Sequence, residues 1–276
     1  MHGVYYYTDE GHRVELPDII YNQAIEATVS AQELLVNEDG EFYQRKDSVE
    51  LLLQTFLQMI KIHSSQGDHL KDAKECFEDL MLFILDVKYS NREKISNIER
   101  QYASLLMQMG EFSEASLLFQ HAIDSHRHAK GKEDLFDRKI SRLMLNKGIA
   151  MLEERMFDEA QVCFEYTLDF LNNVSDNELL AAAKGEDDWD WSDLSFGLEE
   201  DKARCYSSIA AIHYQFLEFD ESQESSFKAI EVYKGADMRN SMGMVYTLCN
   251  LAILFEDTVT MLPIRYHDIK HIRLST

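Results

Sequence analysis

Histidine, aspartate and tryptophan clusters are where this chain could do chemistry. The stretch HAIDSHRH gathers His121, Asp124, His126 and His128. On a helix, ligands must recur at i, i+3 or i+4 to share a face; His121 meets Asp124, and Asp124 meets His128, on different edges. No further helix supplies an obvious donor. The reading favoured is a solvated helix end, where histidine complements the C-terminal dipole. HDIKH places His267 and His271 at i, i+4, but PIRYHDIKHIRLST alternates apolar and polar residues as a strand does, which makes the pair incidental. GxGxxG, the P-loop, GxSxG and HExxH are all absent from the sequence. No catalytic residue, metal ligand or cofactor is therefore expected.

A second cluster is KGEDDWDWSDLSF, residues 184–196, which holds both tryptophans, Trp189 and Trp191, among carboxylates. Residues 175–201 carry ten acids against Lys184, −9 of the chain's net −23. Unpaired carboxylates are costly to desolvate, so the segment should not be buried as a block. If it is extended, Trp189, Trp191, Leu194 and Phe196 form an alternating apolar edge. Three uses stand open: docking on a basic partner, folding back over the protein's own groove, or a loop whose tryptophans patch neighbouring helices.

The elements that must position such residues follow from composition. The chain has 276 residues, 45% of them hydrophobic, with 2 prolines and 11 glycines, which fits long helices joined by short turns. A net charge of −23 disfavours nucleic acid and anionic membranes and favours a basic protein or peptide. Cys76, Cys163, Cys205 and Cys249 are far apart without a CxxC pair, and are expected as buried free thiols in a reducing cytosol. The N-terminus shows no basic or apolar signal region, and the longest apolar run, Leu80–Leu85, is too short to cross a bilayer. A soluble, cytoplasmic protein is expected.

A repeat then becomes visible. Ala103, Gly148 and Ala210 are each followed twelve positions later by another small residue, Ala115, Ala160 and Ser222. Phe112, Phe157 and Phe219 stand three residues before the second of each pair. Two antiparallel helices that cross closely need a small side chain on each, and the phenylalanine plugs the joint. Upstream, Gln66-Gly67-Asp68 with Ala73 and Phe77 reads as a degenerate copy; downstream, Leu248, Leu251, Ala252 and Phe255 read as a first helix without a regular partner.

This pattern resembles the tetratricopeptide repeat (TPR), with Glu99, Met144 and Tyr206 in its tryptophan place and no terminal proline. Spacings of 42, 45 and 62 residues between Ala73, Ala115, Ala160 and Ser222 exceed the usual repeat of about 34. They make the chain similar to long-helix members such as peptide-pheromone receptors and cell-polarity adaptors. The longest gap holds the acidic tryptophan segment as an insertion. The resemblance implies an all-α, right-handed α-solenoid of antiparallel hairpins, with short β segments at the termini. The organisation expected is residues 1–16 as a segment whose VYYYTDEGHRVEL reads as a β-hairpin, residues 17–257 as the array, with an insertion at about 175–198, and residues 258–276 as a tail. A first helix is expected from Pro17 to about Val36.

In such proteins the first helices of successive hairpins line a binding groove. The resemblance places Arg100 and Ser104, Asn146 and Ile149, Arg204 and Ser208, and Asn250 there, with Asn97, Arg142 and Leu145 at its margin. Arginine forks match carboxylate oxygens, and asparagine both donates to and accepts from a peptide backbone. The function implied is a non-enzymatic scaffold or adaptor for a protein or peptide. The alternative is a regulator whose hold on a second protein changes when a short peptide binds.

Overall fold

A computed structural model describes residues 5–7, 13–15, 46–65, 69–130, 138–173, 197–238 and 241–274. The expected helix at 17–36, the insertion, and with it Trp189, Trp191, Leu194 and Phe196, lie outside the described residues. Strands β1 (Tyr5–Tyr7) and β2 (Arg13–Glu15) pair antiparallel, Tyr6 opposite Val14. Nine helices follow among the described residues: α1 (Lys46–Ser65), α2 (Leu70–Asp86), α3 (Arg92–Met109), α4 (Phe112–Lys130), α5 (Arg138–Glu153), α6 (Phe157–Asn173), α7 (Leu198–Gln215), α8 (Phe219–Gly235) and α9 (Met242–Leu274). The chain divides into two compact units, residues 1–94 with 101–111, and residues 95–100 with 112–276. Helix α3 contributes to both.

In the first unit α1 packs on α2. Phe77 stacks on Tyr102 with ring centroids 4.9 Å apart, and Glu50 accepts from Tyr89 Oη at 2.7 Å and from Lys94 Nζ at 2.6 Å. Lys74 pairs with Glu111.

In the second unit consecutive helices pack in order from α4 to α9, and the first helices of the hairpins also touch, α5 on α7 and α7 on α9. One core joins Leu145, Ala160, Phe164, Cys205, Ile209 and Ile212, with Met151 and Phe157 against it. A second joins Ala203, Ile230, Tyr233, Met244, Leu251 and Leu254. The small residues do what their spacing predicts. A Cβ built on Gly148 would lie 2.8 Å from Phe164 Cε1, so only glycine lets α5 and α6 approach this closely. In the next hairpin Ser222 Oγ donates to the Ala210 carbonyl at 2.8 Å. A second close layer, seven residues further along, was not read from the sequence. There Ser96 Oγ donates to the Ala122 carbonyl (2.7 Å), Thr167 Oγ1 donates to that of Ser141 (3.2 Å), and Ala203 and Ala229 are both buried.

The turns share one geometry. At the close of α2, α3, α5, α7 and α8 stands a residue with positive φ: Lys88 (50°), Gly110 (77°), Arg155 (60°), Leu217 (62°) and Asp237 (56°). Each donates its N–H to the carbonyl three residues back, and the next residue donates to the carbonyl five back, as in Arg155 to Leu152 (3.0 Å) and Met156 to Met151 (2.9 Å). This is a Schellman closure, which satisfies the carbonyls a helix end leaves without partners. In the three aligned repeats one linker residue follows, and then the phenylalanine that opens the second helix.

Three expectations change. The C-terminal stretch that alternates like a strand is helical: α9 runs without a break to Leu274, past the expected array end at 257. Alternation over a few residues is a weak signal where a helix already in progress can extend. The window Met242–Val259, with mean hydropathy 1.2, is long and apolar enough to cross a membrane, although no uninterrupted apolar run revealed it. Its Met244, Thr247, Leu251 and Leu254 are buried, whereas Met242, Val245, Tyr246, Leu248, Ile253, Phe255 and Val259 are exposed. Of the cysteines, Cys163 and Cys205 are buried, but Cys76 is half-buried and Cys249 exposed, because it lies on the uncovered side of α9.

Candidate partner-binding site

Helices α5, α7 and α9 carry most of the residues expected to line a groove. Asn146, Arg204, Ser208 and Asn250 are half-buried, neither sealed in the core nor free in solvent. Ile149 packs against the core around Leu145. On α3, Arg100 is buried and donates through Nε and Nη2 to Asn97 Oδ1 at 3.3 and 3.1 Å; the Asn97 amide nitrogen has no hydrogen-bond partner. Ser104 is half-buried.

Charge is concentrated between α5 and α7. Arg142 and Asp201 form an ion pair, both largely buried. Burial raises the Asp201 carboxyl above its usual range, and the guanidiniums of Arg142, Arg204 and Arg138 pull it back down. Three arginines thus act on one carboxyl, Arg142 through direct contact, inside a chain of net charge −23. Arg204 also acts on Cys205 and on Tyr233, whose hydroxyl is buried without a partner. Arg138 and Asp201 were missed from the sequence. The signal was available: Arg138 and Arg142 at i, i+4, and Asp201 and Arg204 at i, i+3, each share a helix face. Ser207 and Thr247 hydroxyls, 2.9 Å apart and buried, tie α7 to α9 beside this face.

The HAIDSHRH residues do not converge. His126 is buried, whereas His121 and His128 are exposed, with His128 Nδ1 2.6 Å from the Asp124 carbonyl and Asp124 accepting from Gln120 Nε2 at 3.0 Å.

Helix hairpins with small-residue crossings and stacked first helices define an all-α, TPR-like repeat fold. Solved structures share it: BtubC (BKLC) from P. vanneervenii has a TM-score of 0.58 at 14% identity, covering 94% of this chain and 92% of that one. A chain described as a kinesin light chain from Podosopora anserina, with nearly identical TPR-like repeats, has a TM-score of 0.51 at 12% identity, covering 82% of this chain and 94% of that one. At these identities the likeness is one of fold. No protein-family model and no curated protein matches the sequence.

Proposed function

We propose that this protein is a non-enzymatic scaffold that binds a protein or peptide on the face formed by α5, α7 and α9. The observation that carries this reading is the largely buried Arg142–Asp201 ion pair between α5 and α7, with Arg138 and Arg204 also acting on the Asp201 carboxyl. A ligand carboxylate, such as a peptide C-terminus, would be drawn to half-buried Arg204 beside this pair through forked, charge-assisted hydrogen bonds. Asn146 on α5 and Asn250 on α9 belong to the same row of helices and have the donors and acceptors to hold the peptide backbone. The strongly negative remainder of the molecule favours a basic partner body and speeds its approach. The protein would act in the cytoplasm, as a long-helix relative of the polarity adaptors and peptide receptors, without nucleic acid or membrane as its target.

The test is calorimetric titration with lysine-rich peptides of varied sequence, each made with a free C-terminus and as the C-terminal amide. The expected result is binding that weakens about tenfold or more in the amide and again in Arg204→Ala. Equal affinities for acid and amide would overturn the carboxylate reading, and equal affinity in Arg204→Ala would overturn the site.

A further inference from the structure

The hydrophobic stripe of α1 runs through Leu52, Leu53, Phe56 and Ile60, all buried, and its next position is His63, only 3% exposed. A histidine therefore ends a core stripe where another aliphatic residue would pack. On the helix packed against it, His69 occupies the N-cap of α2 and Asp72 its first turn, three residues on. His69 Nδ1 lies 2.7 Å from Asp72 Oδ2, His63 Nδ1 lies 3.8 Å from the same oxygen, and the two imidazole rings are 6.2 Å apart. One donor atom from each residue falls within 4.8 Å of the other two.

We propose that His63, His69 and Asp72 form a binding site for a divalent metal of the zinc class, clipping the end of α1 to the start of α2. Two imidazoles and a carboxylate are a common donor set for zinc, which holds its ligands at about 2.0–2.2 Å and so needs donors roughly 3–3.5 Å apart. The separations here bracket that value, so small rotations of half-exposed His69 and Asp72 bring all three to one point. The Asp72 charge offsets the repulsion a cation meets at a helix N-terminus. Water completes the coordination on the open side. The role is structural: a bond through the metal ties the end of α1 to the start of α2 and adds its binding energy to folding.

The experiment uses the full chain stripped with a chelator and titrated with zinc chloride by calorimetry, with melting followed in parallel. One site per chain and a higher Tm with zinc are expected. His69→Ala and Asp72→Asn, which alter half-exposed side chains and leave the circular dichroism unchanged, should weaken zinc binding about 10–100-fold and abolish the Tm shift. The paired control His121→Ala, His128→Ala should leave both intact. Absence of zinc binding in the unaltered chain, or the same affinity and Tm shift in His69→Ala and Asp72→Asn, would overturn the proposal.

Discussion

The Arg142–Asp201 pair places opposite charges in a largely buried position where α5 meets α7. Removing one member of a buried ion pair strands the other, at about 3–5 kcal/mol, whereas replacing both with apolar groups is often near neutral. Arg142→Met should therefore unfold at markedly lower denaturant concentration, and Arg142→Met combined with Asp201→Leu should recover most of the loss. The pH dependence has a definite sign. The folded-state pKa of Asp201 is raised above 3.8, so its contribution is most favourable below that value and declines as pH rises through the folded pKa. The Arg142→Met penalty should thus be largest at neutral pH and shrink on acidification. A penalty that stays constant from pH 7 down to pH 4 would contradict this account.

The five Schellman closures define the helix ends, yet glycine occupies only one of them. A left-handed backbone costs a residue with a Cβ about 1–2 kcal/mol, part of which glycine returns through the greater freedom of the unfolded chain. Leu217 is 62% exposed and gives up little packing, so Leu217→Gly should raise stability by up to about 1 kcal/mol in denaturant titration. A loss of stability would mean that the Leu217 side chain holds the joint instead. These turns also show how far the sequence could be read. The twelve-residue small-to-small spacing and the phenylalanines are side-chain signals, and they located the hairpins in register. Arg155 and Leu217 adopt a conformation that their side chains do not advertise, because backbone hydrogen bonds impose it. For the candidate site, Arg204 and Asn146 could be placed by helical register alone. The Arg142–Asp201 pair depends on how α5 meets α7, and His63 with Asp72 on how α1 meets α2; neither follows from one helix at a time.

At the scale of the whole molecule, the last helix stands out. Along Met242–Val259 one side of α9 seals the final core while the other leaves Tyr246 60% exposed and Val259 65% exposed among further apolar neighbours. A helix array buries each hairpin against the next, so a helix with one side uncovered meets solvent with a surface suited to contact. Between copies of this protein, that surface is held apart by a net charge of −23, a long-range repulsion acting before any short-range adhesion. Near the isoelectric point of about 4.7 the repulsion vanishes and the apolar strip stays as it was. Colloidal stability should therefore fail abruptly on mild acidification, with light scattering rising close to that pH, and Tyr246→Lys with Val259→Lys should delay it. In this molecule, acidity acts as the dispersant that keeps an exposed apolar face from adhering to its copies.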